Sequence, residues 1–124
     1  MSTPATATTT MQLVLPPDPQ LLRIVRLVAS GVASLGPLDL DAVEEVRVAA
    51  DELVSALMEA SNGGSVTLEL SIGPEALSLE ASTAISGELA VDPMTDLILE
   101  NVSTRHEWRT QDGEARGVVE RSVP

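Results

Sequence analysis

The chain contains no cysteine, no phenylalanine and no tyrosine, and it has a single tryptophan, Trp108, and a single histidine, His106. Each absence removes a class of function. Without thiols there is neither a disulfide framework nor a thiolate zinc site, and the chain suits a reducing cytoplasm, where it is expected to reside. One histidine excludes metal sites built from several imidazoles. It also leaves Ser30, Ser55 and Ser82 one base among them, which argues against a hydrolase triad. The dearth of aromatics removes stacking platforms for bases, so the core has to be filled by Leu, Val, Ile, Ala and Met. Positive charge is scarce as well: 7 Lys and Arg against 19 Asp and Glu give a formal net charge of -12. Nucleic acids and anionic membrane surfaces would be repelled, and a basic protein partner is the natural complement. No apolar run reaches membrane-spanning length, and MSTPATATTT lacks the basic and apolar regions of a signal peptide.

What is present fits one domain, since 124 residues can bury a single two-layer core. Residues 1–10, rich in Thr, Ala and Pro, are expected to be a disordered leader, with one domain over 11–123. MQLVL (11–15) predicts a short strand stopped by Pro16 and Pro17. Asp18 and Pro19 follow as N-cap and first helical residue, and Leu21, Val25, Val28, Val32 and Leu35 form one stripe of a helix ending at Gly36-Pro37. Asp39 and Asp41 are both cap candidates for the next helix. Asp41 is preferred because Glu44 can complete a capping box. The core-facing stripe there is Val43, Val46, Ala50, Leu53, Leu57 and Ala60. Glu45, Glu52 and Glu59, spaced by seven, line one edge, with Ala49 and Ala56 close by. Asp51 is expected to pair with Arg47.

Downstream, SVTLELSI (65–72) and ALSLEAST (76–83) alternate apolar and polar residues around Gly73-Pro74-Glu75, a hairpin with one apolar face. Asp92-Pro93 starts a short helix with Met94, Leu97, Ile98 and Val102 as its apolar side. Residues 106–110 and 115–123 predict a second hairpin around Asp112-Gly113, where His106 and Trp108 are read as a surface histidine and a packed tryptophan. The order strand, helix, helix, strand, strand, helix, strand, strand predicts an α+β fold: a two-layer sandwich with helices on one face of a mainly antiparallel sheet.

This order, together with R-V-A-A-D-E-L-V-S-A-L (47–57), resembles the anti-sigma factor and serine-protein kinase family (RsbW-like) of the GHKL ATPase superfamily. Within that family it is most similar to the actinobacterial sigma-F-type branch. The family's helix pattern is R-L-A-x-D-E-L-x-T-N-A, in which the glutamate acts as general base and the asparagine four residues on binds magnesium. By position the resemblance makes Glu52 the general base and puts Ala56, which cannot coordinate a metal, in the asparagine's place. Where the family commonly has a basic or histidine residue one turn on, this chain has Glu59. The family's adenine-contacting D-x-G-x-G is expected within EASTAISG (80–87), which has no aspartate and one glycine. Its glycine-rich lid is expected within ISGELAVDPMTD (85–96), which has one glycine and the acids Glu88, Asp92 and Asp96.

The resemblance therefore implies a GHKL-like (Bergerat-like) fold with a degenerate nucleotide site and no expected cofactor. It implies a regulatory module that sequesters a sigma factor, answers to a STAS-type antagonist and forms a homodimer. Glu44, Glu45, Glu52 and Glu59 are the acids offered to a basic partner. The alternative is an active serine-protein kinase using ATP and Mg, with Glu59 or Asp51 as substitute metal ligand. A third reading is a structural subunit of a larger signalling complex.

Overall fold

The computed structural model describes residues 8–123. Within them lie β1 (Thr9–Leu15), a 3-10 turn (Pro19–Leu21), α1 (Leu22–Ala33), α2 (Leu40–Ala60), β2 (Val66–Ile72), β3 (Ala76–Ala84), α3 (Pro93–Val102), β4 (Arg105–Gln111) and β5 (Glu114–Ser122). The strands form one antiparallel sheet in the order β1-β2-β3-β5-β4. Alpha helices pack on one face, α2 against β3 and β5, α1 against α2 and β2, and α3 against α2 and β4. This is the expected two-layer α+β sandwich.

Alternation fixes which side of the sheet meets the helices. Val66, Leu68, Leu70 and Ile72 of β2 and Leu77, Leu79 and Ala81 of β3 are buried, while Thr67, Glu69, Ser78 and Glu80 point away. The register Leu70↔Leu79 and Leu79↔Val119 stacks aliphatic pairs across three strands. The turn at Asp112 (φ 52) and Gly113 (φ 76) places both residues in the left-handed region, which matches a hairpin of primed type.

Several local expectations are corrected by tertiary contacts. The expected leader is cut at its end, where Thr9 and Thr10 pair with Ile72 and Ser71, and residues 1–7 of that expectation lie outside the described residues. The cap of α2 is Asp39, whose carboxylate accepts from the Ala42 amide at 2.8 Å. Starting the helix there lets Leu38 and Val43 both pack on the core from the two positions of a hydrophobic staple. Glu44, freed from the capping box, accepts from Arg47 at 2.6 Å. Asp51 pairs instead with Arg26 of α1 at 3.3 Å, across the helix pair.

The apolar faces of two helices are also turned. In α1 the buried residues are Val25, Ala29, Val32 and Ala33. Ala29 and Ala33 there, like Ala49 and Ala50 on α2, are buried, and such small residues let the two packed helices approach closely. Leu35 lies past the helix end and is exposed. In α3 the buried residue is Leu99, whereas Met94 (58 % exposed) and Leu97 (50 % exposed) face outward.

Gly117 of β5 is where the layers are tightest. A Cβ there would lie 2.5 Å from Leu53 Cδ1 and 2.7 Å from Trp108 Cζ3. Neither neighbour can retreat without disturbing the core, so Gly117→Ala is expected to destabilise the fold by about 1–3 kcal/mol. Thermal unfolding should show a drop in Tm of several degrees, and an unchanged Tm would contradict this packing.

Candidate functional site

The sequence places its chemistry on the middle of α2, and the structure brings the start of α3 to the same place. Glu52 is half-buried on the side of α2 that faces α3, where Thr95 Oγ1 donates to its Oε2 at 3.4 Å. The edge traced by Glu45, Glu52 and Glu59 is therefore partly an internal seam. Glu45 accepts from Arg121 of β5 at 3.2 Å, Glu52 from Thr95, and Glu59 is exposed. Glu44 is neutralised by Arg47. Of the four acids offered to a basic partner, two thus carry an arginine of their own.

The Glu52 carboxyl is pushed above its usual range. Loss of solvent is the main cause, and the nearby charges of Asp51, Asp92 and Glu59 add to it, against a lowering by the Thr95 hydroxyl. Ala56, one turn on, is a half-buried methyl group facing no ligand chemistry. Asp92 caps α3, its carboxylate accepting from the Met94 amide at 2.8 Å. The charged groups acting on Glu52 are thus all carboxylates. They would repel a triphosphate. Among the described residues no group of three or more His, Asp or Glu is placed to hold a metal ion.

Most of the segment expected to contact adenine is taken up by packing, while the stretch from Ser86 to Met94 is largely exposed. β3 ends at Ala84, and its buried polar residue, Thr83, donates its hydroxyl to the Ser65 carbonyl at 3.0 Å. Ile85 is buried, and its amide donates to the Gly113 carbonyl at 2.9 Å. Gly87, with φ 105, turns the chain toward α3. On the helix side of the sheet, Ala81, Thr83 and Ile85 are therefore buried and leave no opening there.

A cluster that the sequence did not reveal ties α3 to the sheet. Asp96 Oδ1 accepts from Trp108 Nε1 at 2.7 Å and lies 3.1 Å from His106 Nε2. His106 and Trp108 are alternate, inward residues of β4, paired with Val119 and Gly117. The weak alternation of β4 has its cause here: its inward positions are amphipathic because a carboxylate from α3 meets them. The available signal was the spacing of four between Asp92 and Asp96 beside the i, i+2 pair His106 and Trp108. Reading it required knowing that α3 lies over β4.

A depression of about 500 Å³ lies on the outer face of the sheet, lined by Glu80, Arg109, Gln111, Asp112, Glu114 and Arg116. Its arginine Arg116 is bound by Glu114 at 2.7 Å and Glu80 at 3.0 Å, which raises its pKa, and Arg109 is bound by Glu107. The groove is self-neutralised.

No family model matches the chain, and no curated protein matches it in sequence.

Two outcomes follow from this geometry. A raised pKa means that the folded state favours protonated Glu52, so ionisation costs stability as pH rises through the folded pKa. Glu52→Gln is expected to raise Tm at neutral pH, with the gain vanishing below the ordinary value of 4.5. A gain that is independent of pH would contradict it. Asp96→Ala leaves the Trp108 N–H without its acceptor and is expected to cost about 1 kcal/mol, read from denaturant unfolding.

Proposed function

We propose that the protein is a regulatory binding module of anti-sigma-factor type, which captures a basic segment of a protein partner and does so without nucleotide. The observation that carries this reading is the outward side of α3. Met94 and Leu97 stand exposed there, with Glu100 on the same short helix, Asp92 at its N-cap and Glu88 in the loop before it. Apolar anchors inside a charged rim are the usual anatomy of a protein-binding patch. An acidic rim speeds encounter with a basic partner and rejects acidic ones. A sigma factor is the partner to which the sequence resemblance points, with a STAS-type antagonist competing for the module.

The nucleotide-free part of the proposal is supported by the all-carboxylate surroundings of Glu52, by Ala56, and by the burial of Ala81, Thr83 and Ile85. The kinase reading needs Mg-ATP at this site, and the donor set does not fit that group: it presents carboxylates and a hydroxyl where phosphates would need amides and cations.

Calorimetric titration with Mg-ATP is expected to give no heat up to millimolar nucleotide, with no thermal shift. Micromolar binding would overturn the proposal in favour of the kinase. Capture of a sigma factor is expected to weaken by a factor on the order of 10 or more in Leu97→Arg, which adds a like charge at the anchor, with stability unchanged because Leu97 is exposed. Equal capture by the variant would exclude α3 as the docking surface.

A further inference from the structure

The chain has two asparagines, and Asn62 is the one followed by glycine. It lies in the loop between α2 and β2, directly after Ser61, the C-cap of α2, and it is exposed. Gly63 has φ 110, in the left-handed region, and a Cβ built on it would meet nothing within 4 Å. The loop stands clear of the rest of the molecule at this point, so water reaches it freely.

Three hydrogen bonds fold the loop on itself. Ser61 Oγ accepts from the Gly63 amide at 3.1 Å and donates to the Gly64 carbonyl at 2.8 Å, and Asn62 Oδ1 accepts from the Gly64 amide at 3.3 Å. These contacts fall on the atoms of one reaction, attack of the Gly63 nitrogen on the Asn62 side-chain carbonyl. The Gly64 amide polarises that carbonyl and meets the negative charge that develops on Oδ1 during attack. The Ser61 hydroxyl draws on the Gly63 N–H, whose proton has to leave. Glycine at position 63 brings no side chain to screen its own nitrogen.

We infer that Asn62 is a site of spontaneous covalent modification, deamidation through a cyclic imide. The Gly63 nitrogen forms a bond to Asn62 Cγ, and the side-chain nitrogen leaves as ammonia, taking up the proton that the Gly63 nitrogen gives up. Water then opens the imide at either of its two carbonyls. One opening gives aspartate, and the other gives isoaspartate, in which the main chain runs through the former side chain. Water is the one co-reactant, and no electrons are exchanged.

The position of Asn62 gives the product a consequence. Its new carboxylate lies just past the C-terminal end of α2, where the helix dipole disfavours negative charge, and the last turn of α2 has no basic residue to offset it. Glu59, exposed in that same turn, adds repulsion. The Asn62 amide also donates to the Ala84 carbonyl at 3.0 Å, which ties the loop to the end of β3. Isoaspartate lengthens the main chain by a methylene next to that tie. The modification therefore adds a negative charge to a chain already at -12 and loosens the place where α2, β2 and β3 join. The inference goes beyond the α3 reading and does not depend on it, since it needs no partner.

Ageing of the full chain at mildly alkaline pH, followed by peptide mapping in a mass spectrometer, tests it. The peptide containing Asn62 is expected to gain the mass difference of an acid over an amide and to split into aspartyl and isoaspartyl forms. Asn101 is the internal control: it lies within α3 before the β-branched Val102, and its side-chain nitrogen donates to the Leu97 carbonyl at 2.8 Å. Asn62 is expected to convert at least about tenfold faster than Asn101. Conversion should lower the Tm of the aged protein by about 2 °C or more, whereas Asn62→Gln should keep both its mass and its Tm on ageing. Equal conversion at the two asparagines would overturn the inference. So would a folded chain in which Asn62 converts more than about tenfold slower than in urea, since the loop would then protect the residue. A fully converted sample with an unchanged Tm would overturn the stated effect on the join of α2, β2 and β3.

Discussion

The two layers meet at Gly117, where Leu53 from α2 and Trp108 from β4 both fill the space that a methyl group would need. In a chain with one large aromatic residue, that residue has to be accommodated by removing volume elsewhere, and β5 does so by carrying no side chain at this position. The consequences spread outward. Trp108 lies low enough against the sheet for its indole N–H to reach Asp96, which ties α3 to β4 while Leu99 packs it into the core. In this orientation α3 has Leu99 inside, Met94 and Leu97 outside, and Thr95 against Glu52. Gly117 thus gives Trp108 the room from which it reaches α3.

Charge is distributed as unevenly as volume. Four of the seven arginines, Arg105, Arg109, Arg116 and Arg121, lie on the β4–β5 hairpin, where Glu80, Glu107, Glu114, Glu120 and Glu45 engage them. Most of these pairs are exposed, and each contributes little to stability. Their effect is one of accounting for charge: the hairpin ends near neutrality, and the excess acid is left on α2, α3 and the loop before α3. Glu52, at the centre of that excess, is the group whose ionisation the fold disfavours.

Local signals were legible where they are strong. The alternation of β2 and β3, the Asp112-Gly113 turn and the Asp92-Pro93 helix start all follow from backbone preferences of a few adjacent residues, and together they suffice for the element order and the two-layer architecture. What could not be read depends on neighbours distant in sequence. Asp39 prevails over Asp41 because Leu38 and Val43 find the core. Asp51 chooses Arg26 over Arg47 because α1 lies beside it, and α1 buries Ala29 in preference to Leu35 because small residues allow the helices to close. At the candidate site the crowding of Asp51, Glu52 and Glu59 was visible from helical spacing. The approach of Asp92 and Thr95, and the link from Asp96 to Trp108 and His106, required the placement of α3.

The pairing of β1 has a consequence for the order of assembly. β1 joins the sheet through Thr9↔Ile72 and Leu15↔Val66, so both α1 and α2 must be spanned before its first ladder bond can form. The α1–α2 pair and the two hairpins need only short loops to close, and closure entropy favours them early. β1 is therefore expected among the last elements to consolidate, with φ-values near zero at Leu13 and Leu15 as its kinetic signature. Until it arrives, β2 is itself a bare edge, and the nascent chain carries its most apolar strand uncovered.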